Sequence, residues 1–261
     1  MSVTQAQKAA QFKALHQSGC FIIPNPWDAG SARLLAGMGF AALATSSGAA
    51  AGVLGRKDGE INRDEALAHA RVIVMATELP VAADLENGFG DTPADAALTI
   101  RGAADVGLVG GSIEDSSGVL TRKIYDFNHA VERVAAAAEA AHGQAFPFTF
   151  NARCENFLRG NPDLDDTIRR LQAYEKAGAD VLFAPALPTI DAVRTVCQSL
   201  SKPFNFMVAI KGKSFSVAEL EAAGVRRISL ATSLYRAAMA GMRGAIDEVK
   251  TSGTFGYLDR L

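Results

Sequence analysis

Residues 79–116 read "LPVAADLENGFGDTPADAALTIRGAADVGLVGGSIEDS". The run at 79–86 is strand-like, the stretch near 93–105 has helical spacing, and 108–116 is strand-like again. A strand, a crossover helix and a second strand form a βαβ unit, whose two strands lie parallel. The same alternation continues in both directions. Strand-like runs at 20–24 and 41–47 precede helical stretches at 28–38 and 63–78, the second of them after a glycine-rich loop. Downstream, 108–116 leads into an Ala-rich helix at 127–142, and 146–155 into 163–177. The runs 179–187, 203–210 and 225–233 lead into 189–200, 216–223 and 234–248. Eight such units without a compositional break predict one (β/α)8 TIM barrel domain spanning 1–261. A doubly wound open sheet is the alternative, but no GxGxxG follows the first strand. "GLVGG" at 107–111 reads instead as small residues inside a barrel strand. The N-terminal helix and the tail "TSGTFGYLDRL" (251–261) lie beyond the eight units and are expected on the barrel's outside or on a neighbour.

Half of the 261 residues are apolar, enough for a large core, and the formal charge of -2 leaves no basic footprint for nucleic acid. Cys20, Cys154 and Cys197 cannot pair evenly and show no CxxC spacing, so they read as reduced thiols of an intracellular protein. The polar N-terminus lacks an apolar signal core, and no run approaches the roughly 20 apolar residues of a membrane helix. The expected location is the cytoplasm, with no membrane partner.

Asp84 and Glu86 stand two apart at the end of the third strand-like run. Alternation puts residues two apart on one face, and paired carboxylates cost free energy unless a positive charge lies between them. Barrels of this kind place chemistry at the C-terminal ends of their strands. Here those ends carry Trp27 and Asp28, then Thr45, Ser46, Ser47 and Gly48, then Asp84 and Glu86. The next ends carry Glu114 and Asp115, then Asn151, Arg153 and Glu155, with Asn205 in the seventh unit. Simpler readings exist for each: Asp28 as a helix cap, Asp115 as a cap or loop-amide acceptor, Trp27 as a rim plug, Arg153 and Glu155 as a pair. Capping needs one small acceptor, however, and four adjacent units ending in polar or charged groups point to a site. The four histidines fall in helical stretches, and carboxylates are hard oxygen donors suited to Mg2+ or Mn2+. Asp84 is the expected direct ligand, with Glu86 and Glu114 holding coordinated waters. Arg153, the hydroxyls of Thr45, Ser46 and Ser47, and the Gly48 amide would then bind a small anion such as an α-oxo acid, with Trp27 and Asn205 beside them.

These residues stand in segments similar to those of the isocitrate lyase/phosphoenolpyruvate mutase superfamily. The segments are "IPNPWDAGSARLLAGMGFAALATSSGA" (23–49), "PVAADLENGFGD" (80–91), "GGSIEDS" (110–116), "FNARCENF" (150–157), "AGADVLFAPAL" (177–187) and "GVRRISLATSLYRAAM" (224–239). The resemblance implies a Mg2+-dependent enzyme that breaks or forms a C–C or P–C bond through a pyruvate enolate. It matches Asp84 to the metal-binding aspartate, Glu86 to a second acid that is more often aspartate, and Glu114 to the family glutamate. Arg153 matches the arginine that binds substrate carboxylate, and Ser46, Ser47 and Gly48 the substrate loop. Asp58, in "GRKDGE", matches an acid that approaches the metal through water, although it also reads as an exposed loop acid. The last helix is implied to exchange between paired subunits, giving a homodimer or homotetramer.

Two departures bear on the reaction. Isocitrate and methylisocitrate lyases carry a Lys-Lys-Cys-Gly-His loop after strand four, where this chain has "SSGVLTRKIYDFNHA" (116–130) without cysteine. Unit six ends in Ala-Pro-Ala, where the phosphonate branch has a histidine. The catalytic proton donors expected of a lid at 116–126 are therefore Arg122, Lys123 or Tyr125. The alternatives are a catalytically silent oxo-acid binder and an oxaloacetate-decarboxylase-like activity.

Overall fold

A computed structural model describes residues 3–117 and 123–260. Eight parallel strands form its centre: β1 (Phe21–Ile23), β2 (Leu43–Ala44), β3 (Val81–Asp84), β4 (Gly110–Glu114), β5 (Thr149–Arg153), β6 (Val181–Phe183), β7 (Phe204–Met207) and β8 (Arg227–Ser229). Each pairs with its sequence neighbour from β2 to β8, and β8 pairs back with β1. The remaining seam is crossed by the Ala44 amide donating to the Pro24 carbonyl at 3.1 Å and by Asn25 Nδ2 donating to the Thr45 carbonyl at 2.9 Å. The result is a nearly closed (β/α)8 barrel, as the alternation predicts.

The surrounding helices are α1 (Gln5–Leu15), α2 (Ala29–Gly37), α3 (Ser47–Val53), α4 (Arg63–Ala76), α5 (Pro93–Asp105), α6 (Phe127–His142), α7 (Leu164–Lys176), α8 (Ile190–Gln198), α9 (Val217–Ala222) and α10 (Ser233–Ser252). Reciprocal side-chain caps start several of them: Asp28 with Ser31 on α2, Asn62 with Glu65 on α4, Thr92 with Asp95 on α5. Asp28 is thus a cap. The glycine-rich loop expected after β2 begins instead with the short α3, whose Ala49, Ala50 and Ala51 are buried.

Of the two placements expected for α1, it takes the barrel's outside, covering the end where the strands begin: Ala9 and Phe12 are fully buried with Ile23, Ala42, Ala82 and Val109. Gly110 makes this possible, because a Cβ there would stand 2.7 Å from the Phe12 ring. Small residues in β4 therefore serve packing, as their position in a strand suggests.

His16, which ends α1, bonds the Phe12 carbonyl through Nδ1 at 2.8 Å and turns Nε2 toward Arg227 Nη1 at 3.4 Å. With Nδ1 as the donor and Nε2 as the acceptor, the ring is neutral. Burial, then the charge of Arg227, push its pKa down to about 3. The unfolded ring titrates near 6.5, so stability is full above that pH and is lost as pH falls toward 3. Between pH 7 and pH 5 this one group should cost on the order of 2 kcal/mol. Urea titrations at the two pH values should show the loss in the wild type and a smaller one in His16→Gln. Equal losses would remove His16 from the account.

Candidate active site

A cavity of about 280 Å3 opens at the C-terminal ends of the strands. Asp58, Asp84, Glu86 and Glu114 line it together with Arg153, Ser46 and Ser47, which are among the residues expected there. Asp84 ends β3; its Oδ2 accepts from the Ser47 hydroxyl at 3.1 Å and its Oδ1 from the Glu86 amide at 3.3 Å. Arg153, at the end of β5, stands 3.7 Å from Asp84 and 3.5 Å from Glu114, and donates to Glu155. Burial opposes its charge, but Glu155, Glu114 and Asp84 outweigh burial and hold its guanidinium above the usual range.

Glu86 reaches this cavity by a different route from the one strand alternation implies. It lies beyond β3 with φ 48°, a left-handed conformation, so its direction is set by the turn and not by the strand. Its Oε1 is buried and has no hydrogen-bond partner among the described residues. Burial, then the charges of Asp84 and Asp58, raise its pKa to about 8. A divalent cation would favour the charged carboxylate and so offset the repulsion from Asp84 and Asp58, and the all-oxygen donor set suits Mg2+ or Mn2+. Among the described residues no three acidic, histidine or cysteine side chains converge closely enough to ligate one ion together. The set therefore fits a largely hydrated ion, of the kind Mg2+ prefers, with one or two direct carboxylates.

Other expected residues are placed elsewhere. Thr45 lies below the cavity, its hydroxyl accepting from the Asp84 amide at 3.2 Å. Gly48 is not on the wall; a Cβ there would come within 3.3 Å of Asp58 Cγ and of Thr232, so its bareness lets the Asp58 loop approach α3. Asn205 sits deeper in the barrel, donating to Ser229 and accepting from Arg227 at 2.8 Å. Trp27 lies off the wall, edge-on to Tyr235 with ring centres 5.8 Å apart. Lys123 is exposed, pairing with Ser117 through its backbone, and Arg122 lies outside the described residues, as does the centre of the expected lid. Tyr125 is engaged, donating to Asp91 at 2.5 Å and accepting from Asn87 at 3.0 Å, with its phenol pushed up to about 12 by burial and then by Asp91. Cys154 is fully buried in the core, and burial first, then Asp115, hold its thiol protonated. Asp115 takes its simpler reading, accepting from the Glu155 amide at 2.8 Å and from Tyr174.

Three further groups belong to the site and carry no strand-end signal in the sequence. Arg159 closes the 3-10 turn Asn156–Arg159 after β5 and pairs with Glu114 at 3.1 Å and, without hydrogen-bond alignment, with Glu155 at 2.9 Å. Arg236, in the first turn of α10, also lines the cavity. Leu158, Met207, Ala209 and Ile210 supply apolar surface. Arg236 stands in the segment 224–239, so a polar residue one turn after the eighth strand was a usable signal; Arg159 offered none.

The family described as phosphoenolpyruvate phosphomutase matches residues 12–250. A crystal structure from Burkholderia cenocepacia J2315, provisionally described as a lyase/mutase, is 50% identical with a TM-score of 0.95, over 98% of this chain and 92% of that one. The 2-methylisocitrate lyase of Halalkalibacterium halodurans is 27% identical over 96% of this chain and 85% of its own length. The crystal structure of a 2,3-dimethylmalate lyase superposes with a TM-score of 0.86 at 27% identity, covering 95% and 89% of the two chains. With the barrel, the acidic strand ends and the match over nearly its whole length, the chain belongs to the phosphoenolpyruvate phosphomutase family, within a superfamily of lyases and phosphonomutases.

Proposed function

We propose that this one-domain chain is a cytoplasmic, Mg2+-dependent lyase or mutase that acts on a small α-oxo-carboxylate through a pyruvate enolate, breaking or forming a C–C or P–C bond. The observation that carries the reading is Glu86, which lines a cavity together with Asp58, Asp84 and Glu114 and has a buried oxygen without a hydrogen-bond partner among the described residues. Mg2+, or Mn2+ on the same oxygen ligands, would supply positive charge to the oxygen on which the enolate develops. Arg153, fixed from behind by Glu155, binds the substrate carboxylate with its cavity edge, helped by the Ser46 and Ser47 hydroxyls. Arg236, also on the cavity wall, meets a second anionic group, which favours dianionic substrates. Leu158, Met207 and Ile210 exclude water from the bond that changes.

A substrate panel tests this: oxaloacetate, phosphonopyruvate, 2-methylisocitrate, 2,3-dimethylmalate and carboxyphosphonoenolpyruvate. Pyruvate release is followed by coupled reduction and mutase product by phosphorus NMR. Turnover of at least one, lost on chelation of the metal, is expected. Binding of oxalate, an enolate mimic, without turnover of any would instead identify a silent oxo-acid binder.

The assembly we propose is a homodimer or homotetramer with α10 exchanged between subunits. No residue of α10 is buried, and Met242 and Ile246 are 57% and 53% exposed. The tail does turn back, bonding Glu248 through Gly256 and Thr254, but leaves both apolar side chains uncovered. Light scattering at micromolar concentration should report a dimer or tetramer, and Met242→Glu should weaken it by burying an unpaired carboxylate. A wild-type mass of 27.4 kDa, one chain, would refute the exchange.

A further inference from the structure

The turn from Glu86 to Thr92 is held in an unusual way. Glu86, Gly88 and Phe89 have φ of 48°, 84° and 56°, and two of the three carry a Cβ that disfavours this conformation. A turn of this kind persists only where its surroundings over-determine it. Its carbonyls are taken by side chains from three helices. Arg63 of α4 and Thr99 of α5 donate to the Gly88 carbonyl at 3.1 and 2.7 Å, and His129 of α6 bonds that of Asp91 at 2.8 Å. The central brace is Arg133 of α6. It donates through Nη2 to the Asn87 carbonyl and through Nη1 to the Thr92 carbonyl at 2.9 Å, so it grips both ends of the turn.

Arg133 is an expensive brace. It is 1% exposed, and among the described residues its Nε has no hydrogen-bond partner and no carboxylate pairs with it directly. The Tyr125 ring, 4.6 Å from its guanidinium carbon, covers one face. A fully buried cation used on two carbonyls is a poor way to gain stability alone, since apolar packing of similar volume usually serves as well. What the brace does secure is the conformation that sends the Glu86 carboxylate into the cavity. Asn87, whose carbonyl it grips, also lines that cavity and ties it to Tyr125 and Asp91.

We propose that Arg133 is a positioning residue: by clamping the Asn87 and Thr92 carbonyls it imposes the left-handed turn that aims Glu86 at the bound divalent cation. The proposal rests on the metal reading given above. It predicts that Arg133 acts on metal affinity through Glu86 alone. Outer contacts that orient metal-site groups typically change affinity by about 10–100-fold.

Mn2+ affinity is measured from the electron paramagnetic resonance signal of free Mn2+, for wild type, Arg133→Met, Glu86→Gln and the double variant. Arg133→Met should weaken Mn2+ binding about tenfold or more, and adding it to Glu86→Gln should cause no further loss. Hydrogen exchange should quicken at the Gly88 and Phe89 amides and stay unchanged in β3. Unchanged Mn2+ affinity in Arg133→Met, or the same additional loss in both backgrounds, would overturn the proposal. Should Arg133→Met fail to fold, Arg133→Lys, which keeps the charge but cannot grip two carbonyls, carries the same comparison. Should wild type bind no Mn2+, the metal reading fails, and exchange at Gly88 and Phe89 alone decides whether Arg133 holds the turn: faster exchange supports the clamp and unchanged exchange refutes it.

Discussion

Asp84→Ala abolishes Mg2+-dependent oxalate binding and lowers turnover on the order of 10^3-fold, while the protein melts at or slightly above the wild-type temperature. The first half follows from position: Asp84 ends β3 at the cavity floor, with Ser47, Glu86 and Arg153 arranged around its two oxygens. Removing a group that stabilises developing charge typically costs about 10^2–10^3 in rate, and removing the direct ligand of the ion costs at least the upper figure. The second half follows from electrostatics. The Asp84 side chain is 20% exposed and supports no core, and its charge helps to raise the pKa of Glu86. Calorimetric titration with oxalate, beside a thermal melt, checks both. Wild-type oxalate affinity in this variant would remove Asp84 from the metal site.

Arg153 variants should separate binding from folding. Arg153→Met leaves Glu155, which is fully buried, with Arg159 as its remaining ion partner, takes the paired cation from Asp84 and leaves Glu114 with Arg159 alone. Breaking a buried ion pair by removing one partner costs about 3–5 kcal/mol, and urea unfolding at pH 7 should show a loss of that size. Arg153→Lys keeps the charge but cannot hold Glu155 and present a second donor edge at the same time. It should fold and yet bind oxalate more weakly by about 1–3 kcal/mol. If Arg153→Lys binds as tightly as wild type, Arg153 is scaffold and the carboxylate is held elsewhere, with Arg236 the first place to look.

Much of this architecture was legible in the residues because it rests on local rules. The helices expected near 93–105 and at 127–142 occupy those residues, since a Thr or Asp cap starts each and a small-residue face carries it. The acids of β3 and β4 were found because barrel chemistry gathers at strand ends. Glu86 was found for a reason that does not hold, because left-handed turns are set by side chains from α4, α5 and α6 that no local pattern reveals. Asn205 and Trp27 were expected at the site from strand-end position alone. Position on a strand does not give depth, and Asn205 is spent on Arg227 inside the barrel. Arg159 and Arg133 were missed for a related reason. One sits on a 3-10 turn and the other on a helix that reads as ordinary Ala-rich packing, and their meaning comes from what they face.

In the function proposed above, the carboxylates at the strand ends hold a divalent cation against which an oxo-acid is bound. The most direct measurement is calorimetric titration of oxalate into the wild-type protein in saturating Mg2+ and in EDTA. One site per chain is expected, with binding at least about tenfold tighter when Mg2+ is present. Equal affinity with and without the metal would contradict it.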